Sequence, residues 1–228
     1  MIYLASRSPR RLELLKQIGI TDVRLLLDED ETRAEALEAT WTGESPTRYV
    51  ERVARAKAEA AWQRLQERSR ESLLVEMAAG NDAQTPAWPA APLLAADTTV
   101  AVGGRLLGKP ADAGEAQQML STLSGRTHRV LSSVVIIAPN GRIRQRTQVS
   151  RVRFRRLSDA EIAQYIASGE PFGKAGAYGI QGMAARFVKK IEGSYSGIMG
   201  LPLYETAALL QKSGYPALDQ NHCPSPSA

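Results

Sequence analysis

The sequence predicts a mixed sheet flanked by helices, an α/β or α+β protein with a cleft. Three observations carry this reading. Short apolar runs alternate with segments of helical period. Two pairs of runs are joined by hairpin signals, which excludes a purely parallel sheet. And 228 residues, 43% of them hydrophobic and 23% charged, are enough for one large domain or two lobes around a real core.

The elements follow in order. Residues 2–5 are a short apolar run ending in Ser6-Arg7-Ser8-Pro9, after which Leu12, Leu15 and Ile18 recur at helical spacing until Gly19: strand, turn, helix. Residues 23–27 are a second strand candidate that runs into the acidic stretch Asp28-Glu29-Asp30-Glu31. Ser45-Pro46 reads as an N-cap with proline at the first helical position, opening a helix striped by Tyr49, Val50, Val53, Ala54 and Ala61 and helix-compatible through residue 77. Residues 78–92, aperiodic and rich in Pro and Ala, predict a flexible connection. Residues 93–96 read as a buried strand ending at Asp97, and 102–106 as a tight hairpin turn. Asp112 with Glu115 forms a capping box ahead of Ala116, Met119, Leu120 and Leu123. Residues 130–138 and 142–154 flank Pro139-Asn140-Gly141, the strongest hairpin signal in the chain. Ser158 with Glu161 caps a further helix, residues 187–191 are strand-like, and 202–212 form a last helix before a Pro/Ser tail at 215–228.

Several function classes are disfavoured at once. No run approaches the roughly 18 apolar residues of a membrane span, and the N-terminus has no secretory pattern, so a cytoplasmic protein is expected. The one cysteine, Cys223, cannot form an internal disulfide. With only His128 and His222 besides, a zinc site lacks ligands, and any metal would be a hard cation held by carboxylates. The net charge of +5 is local: residues 142–156 hold seven arginines and no acid. Arg151, Arg153 and Arg155 alternate with Val152 and Phe154, the pattern of a strand's solvated face, which is favoured here over nucleic-acid binding.

Four places could carry chemistry. Ser6, Ser8, Arg10 and Arg11 sit where a strand meets a helix N-terminus, a ready anion site, although an ordinary serine cap with surface arginines reads the same way. Lys57 lies in the apolar stripe of its helix and must either snorkel to water or line a cleft; Lys109 alone looks like any surface lysine. Asp97, at a strand end, suits metal binding or deprotonation of water, or merely starts a turn. In residues 175–182, rich in small residues, Gln181 offers a donor and an acceptor that match the N3–H and O4 edge of uracil or thymine, or the string is only a tight turn.

Together these strings resemble the Maf family of nucleoside triphosphate pyrophosphatases over residues 3 to about 214. Four blocks carry the resemblance: Leu4-Ala5-Ser6-x-Ser8-Pro9-Arg10-Arg11; Ala96-Asp97-Thr98 with Leu107-Gly108-Lys109-Pro110; Leu123-Ser124-Gly125-x-Thr127-His128; and residues 174–182 with Gly200-Leu201-Pro202. The resemblance implies a mixed twisted sheet with flanking helices, two lobes around a deep cleft, shared with inosine triphosphatase-like enzymes, and a homodimer. On this view residues 1–214 are one two-lobed domain with a flexible insertion at about 78–92. It implies hydrolysis of a nucleoside triphosphate at the α-phosphate with a divalent cation, Mg or Mn. Asp97 would accept the proton, Glu31 would be a cleft carboxylate and, with Asp97, a metal ligand, and Lys57 and Lys109 would bind phosphate. Arg10, Thr98 and Gln181 match positions tied to base choice, and Lys174 belongs to the same matched block. The Ala175-Gly176-Ala177-Tyr178-Gly179-Ile180-Gln181-Gly182 string is similar to the branch acting on dTTP and UTP rather than on 7-methyl-GTP. A non-catalytic nucleotide- or RNA-binding regulator of cell division is the alternative from a different class. Gly173 stands where the family has Asp, and residues 64–92 are longer than usual.

Overall fold

The computed structural model describes residues 1–28, 30–79 and 88–216. Seven strands form one mixed sheet in the order β2-β1-β3-β5-β6-β7, with β4 added to β3. β1 (Ile2–Leu4) pairs in parallel with β2 (Val23–Leu25) and β3 (Leu93–Val102). β3 then runs antiparallel to β5 (Thr127–Ile137) and to the short β4 (Arg105–Leu107). β6 (Ile143–Phe154) and β7 (Val188–Glu192) continue the antiparallel series. The β3–β4 hairpin turns on Gly103 and Gly104, both at positive φ (56° and 83°), the backbone that a two-residue turn with the sheet's own twist requires.

Both faces of the central strands are buried, which is why they read as nearly continuous apolar runs. On one face Ile2, Leu4, Leu94, Ala96, Val134 and Ile136 pack under α1 (Pro9–Gln17) and α7 (Leu203–Lys212). On the other, Tyr3, Leu93, Ala95, Val135 and Ile137 meet α3 (Pro46–Ala79), whose Ala54, Ala58 and Ala61 let the helix approach closely. Beyond them α4 (Ala113–Leu123) and α5 (Asp159–Ala167) close a third cluster around Phe154, Tyr165, Tyr178 and Phe187. Ser158 and Glu161 form the expected reciprocal capping box at α5. At α4 only half of it forms: Asp112 accepts from the Glu115 N–H, but the Glu115 carboxylate takes the N–H of Ala111 instead.

Helix α3 extends two residues past the predicted limit, to Ala79. Residues 80–87 of the expected flexible connection lie outside the described residues, as do 217–228 of the tail. The returning end is pinned rather than loose: Trp88 stacks on Tyr3 at 5.9 Å, Arg24 lies 3.5 Å over the indole, and the Tyr3 hydroxyl donates to the Pro89 carbonyl at 2.9 Å. The acidic stretch is put to structural use, with Asp28 ion-paired to Arg64 at 2.6 Å and Asp30 accepting from the Arg33 N–H in α2 (Glu31–Ala36).

One position needs correction. Asp97 does not end its strand; it sits inside β3 opposite Ser133, because the β-branched Thr98, Thr99 and Val100 carry the strand on. What ends nearby is β1, whose pairing with β3 stops at Leu94, while β4 takes up the same edge of β3 only at Val100. Between these two points that edge of β3 has no strand beside it among the described residues. The cleft opens there.

Candidate active site

The gap leads into a cavity of about 810 Å³ whose lining includes Ser6, Ser8, Arg10, Arg11, Lys57, Asp97, Thr98, Lys109, Lys174 and Gln181. These are ten of the eleven site residues proposed from the sequence; the eleventh, Glu31, opens α2, and its side chain lies outside the described ones. Neighbouring positions on a strand point to opposite faces, so Asp97 turns toward α3 and Thr98 toward the α6 side (Tyr195–Met199), where its hydroxyl pairs with Ser132 Oγ at 2.8 Å. The open edge lets both reach the cavity.

The β1–α1 turn makes the cationic end. Ser8 caps α1 by position only: its hydroxyl forms no bond to the helix, and Pro9 follows, so the helix start faces the cavity without a side-chain cap. Arg11 is held by neutral acceptors, donating to Ser6 Oγ and to the Gly200 carbonyl, both at 2.9 Å. Burial pushes the Arg11 pKa down, and Arg10 pushes it further, against the opposing pull of Asp97 and Glu38. Lys174, which donates to the Glu170 carbonyl, is likewise lowered by burial and by Arg10. Three cations therefore share a partly desolvated corner.

At the other side stands a chain of alternating charge. Lys57 Nζ donates to Asp97 Oδ1 at 2.7 Å and to Glu38 Oε1 at 2.7 Å; Lys109 Nζ donates to Glu38 Oε2 at 2.9 Å. Asp97 is only 8% exposed, and Lys57 is the partner that makes its burial tolerable. Burial raises the Glu38 pKa, but Lys57 and Lys109 outweigh it and hold the carboxyl below its ordinary value. The same two carboxylates, added to burial, push the Tyr49 hydroxyl up to about 12, so it stays a donor, to the Glu38 carbonyl at 2.9 Å. Sequence reasoning missed Glu38. The lysine in an apolar stripe signalled only that its charge must reach water or line a cleft.

The rim carrying Gln181 is organised by a second missed residue, Glu170. Its carboxylate accepts from the Tyr165 hydroxyl at 2.8 Å and from the Met183 N–H at 2.8 Å, and it packs so closely on Gly182 that a Cβ there would lie 2.4 Å from it. Gly173 lines the same rim without a side chain. Glu170, three residues earlier, does not replace the absent carboxylate, because its oxygens are already engaged. Beneath the rim, His128 Nε2 and the Tyr178 hydroxyl lie 2.8 Å apart in the aromatic cluster. The Gly176 N–H donates to the Gly108 carbonyl at 2.9 Å, tying this loop to the one that carries Lys109.

Among the described residues no group of three or more His, Cys, Asp and Glu could hold a metal ion. A hard cation that keeps several waters and takes one or two carboxylates plus substrate phosphates fits a smaller donor set, and Asp97 supplies it: its Oδ1 is engaged by Lys57, and Oδ2 makes no hydrogen bond among the described residues. The arginine-rich strand β6 and Arg155 just after it stand apart from this cleft, with Arg155 paired to Glu161 at 2.6 Å and Arg151 within 3.9 Å of Glu192, as a partly neutralised solvated face would be. No helix among the described residues is long and apolar enough to cross a membrane.

Comparison with known proteins bears on most of the chain. A family model described as Maf-like protein matches residues 1–213. A dTTP/UTP pyrophosphatase of Ralstonia nicotianae is 55% identical over 212 residues, 93% of each chain. One from Cupriavidus metallidurans is 55% identical over 214 residues, 94% of this chain and 97% of its own. One from Burkholderia pseudomallei is 50% identical over 211 residues, 92% of each. Among solved structures, a HAM1 protein from Coxiella burnetii aligns with a TM-score of 0.44 at 17% identity, covering 92% of this chain and 98% of that one.

Proposed function

The chain belongs to the Maf-like protein family, and on that premise we propose that it is a nucleoside triphosphate pyrophosphatase hydrolysing dTTP and UTP to the monophosphate and pyrophosphate. Such an activity removes surplus or non-standard nucleotides before polymerases use them. The carrying observation is that one cavity gathers Arg10, Arg11, Lys57, Lys109 and Lys174 with the acids Asp97 and Glu38, of which Asp97 is the more deeply buried. Hydrolysis at phosphorus is chiefly positioning and charge neutralisation, and this is the side-chain set it asks for.

In this reading the open helix start of α1 and Arg10, Arg11 and Lys174 hold one part of the polyphosphate, and Lys57 and Lys109 hold the part nearer Asp97. Asp97 Oδ2 takes a proton from the attacking water, while Lys57 on Oδ1 fixes the carboxylate's orientation. Asp97 with the phosphate oxygens would also hold Mg or Mn, whose chemistry here is charge neutralisation. Gln181 at the rim presents its amide to the pyrimidine edge, with Arg10 and Thr98 supporting base choice. We further propose one two-lobed domain spanning residues 1–214, a cytoplasmic location and a homodimeric assembly, all on the family's pattern.

The test is a nucleotide panel with Mg or Mn, reading pyrophosphate release from wild type and Asp97→Asn. We expect turnover of dTTP and UTP that falls by about 10²- to 10⁴-fold in the variant while nucleotide binding persists. Preferential hydrolysis of 7-methyl-GTP would move the chain to the other branch. Undiminished turnover in Asp97→Asn would remove Asp97 from its role.

A further inference from the structure

Among the described residues Glu38 is the one acid on which both candidate phosphate lysines converge, and its placement is built rather than incidental. Its two carboxylate oxygens are divided between Lys57 and Lys109 at 2.7 and 2.9 Å. Lys109, on an exposed loop with its side chain 55% accessible, is drawn over the cavity by that contact alone among the described residues. The backbone under Glu38 is fixed by α3 at three successive carbonyls: Arg52 donates to Leu37 at 3.4 Å and to Ala39 at 2.8 Å, and Tyr49 donates to Glu38 itself at 2.9 Å. Arg52 is in turn clamped by both oxygens of Glu44 and covered by Trp41. The same helix carries Lys57. The carboxylate therefore stands at a set height over both ammonium groups, with only its side-chain torsions free to move.

We propose that Glu38 is a specificity-determining gate: its carboxylate occupies the place of a substrate phosphate between Lys57 and Lys109, and only an anion long enough to engage both lysines and the Arg10–Arg11 corner displaces it. The inference rests on the functional reading above and adds a residue to it. With Glu38 in place the series Asp97, Lys57, Glu38, Lys109 sums to no net charge, so a small anion gains little by entering. A triphosphate recovers the cost of turning Glu38 away through contacts at both ends of the cavity, whereas inorganic phosphate or a nucleoside monophosphate meets one end only. Repulsion built against the wrong ligand is a recognised route to selectivity. It also lets the product leave, because the monophosphate, once pyrophosphate has gone, cannot hold the gate open. No covalent step is involved; one ion pair is exchanged for another.

The test is calorimetric binding, without divalent metal, of tripolyphosphate, UMP and inorganic phosphate to wild type and to Glu38→Gln, with UTP turnover and UMP inhibition measured in parallel. The expected result is that UMP and phosphate bind Glu38→Gln about tenfold tighter, the size of effect of removing one opposing charge from a half-screened site, while tripolyphosphate gains less. The ratio of tripolyphosphate to UMP affinity then falls, and UMP becomes the stronger product inhibitor. A folding defect cannot imitate a gain of affinity. Glu38→Asp, which keeps the charge but is too short to bridge both lysines, should lie between the two, and it serves if the Gln variant does not fold. Unchanged or weaker binding of UMP and phosphate in both variants overturns the gate, as does a loss of turnover at saturating UTP repaired by extra metal, which would make Glu38 a cation ligand. Hydrolysis of dTTP and UTP by a wild type whose variants bind no tighter overturns the gate and leaves the functional reading. Tighter binding by variants of a wild type that hydrolyses no nucleotide does the reverse.

Discussion

The buried His128 gives a quantitative expectation for stability against pH. Its ring is 1% exposed, packed edge-on to Phe154 and Tyr178, and burial lowers its pKa from 6.5 to about 4. The unfolded chain thus takes up a proton near pH 6.5 that the folded chain refuses until about pH 4. Between those values unfolding binds a proton, so stability is full above the unfolded pKa and is lost as pH falls toward the folded one. The whole difference corresponds to about 3 kcal/mol, of which about 2 kcal/mol is lost between pH 7.5 and pH 5. Urea unfolding at pH 7.5, 6.5, 5.5 and 5 measures this directly. Carboxylates such as Glu161, held near pKa 2 by Arg155 and by Ser158, add their own slope at lower pH, so the informative quantity is the difference between wild type and His128→Gln. The glutamine keeps a polar partner for the Tyr178 hydroxyl but does not titrate. The wild type should lose about 2 kcal/mol more than the variant over this range. Parallel curves for the two proteins would refute the reasoning and mean that the folded site accepts the proton without loss.

Glu170→Ala removes the acceptor shared by the Tyr165 hydroxyl and two N–H groups of the rim; we expect a loss of about 2–3 kcal/mol and a melting temperature lower by about 5 °C, with poorer discrimination among nucleotide bases, checked by calorimetry and the nucleotide panel. Gly176→Ala meets both a φ of 71° and a Cβ position 2.9 Å from Val100 Cγ2, so it should cost about 1–3 kcal/mol in urea unfolding and raise the KM for UTP, because Gly176 ties the Lys174 and Lys109 loops together; an unchanged midpoint and KM would show that the turn relaxes freely.

Local signals were readable where a short string determines its own geometry. The Asn140-Gly141 and Gly103-Gly104 turns, the Ser158–Glu161 box and the proline-opened α1 and α3 are such cases. A cleft was expected, but its position was not readable in this way: the stretch of β3 edge left between the ends of β1 and β4 depends on which strands pair, and residues 2–4, 93–102 and 105–107 each look ordinary alone. That is also why Asp97 was read as a strand terminus; the boundary belonged to a neighbouring strand. Lys57 announced itself by charge in an apolar stripe. Glu38 had no such signal, lying 19 positions from Lys57 and 71 from Lys109 in an aperiodic stretch after a run of more conspicuous acids. Glu170 was hidden in the same way, since its partners at Met183 and Ala184 are 13 and 14 positions away across a loop with no regular period.

The unequal distribution of counter-charge within the cavity argues for the orientation of its ligand. Lys57 and Lys109 are neutralised by Glu38 and Asp97, so at that end a ligand must exchange one partner for another. At the other end, Arg11 bonds only to a hydroxyl and a carbonyl, Lys174 to a carbonyl, and the Arg10 side chain makes no hydrogen bond or ion pair among the described residues. Burial lowers the pKa of both Arg11 and Lys174, and Arg10 adds to the effect, while Asp97 and Glu38 for Arg11 and Glu170 for Lys174 offset it only in part, so the protein already bears a cost of holding positive charge together with no carboxylate bonded to these two groups among the described residues. An incoming anion relieves that repulsion outright. The first strong contact of a polyphosphate therefore belongs to the Arg10–Arg11 corner, and the exchange at Glu38 follows from it. Raising ionic strength should accordingly weaken UTP binding to wild type more steeply than to Arg10→Gln, since that substitution removes the least compensated of the cations. Equal salt dependence in the two proteins would place the first contact elsewhere.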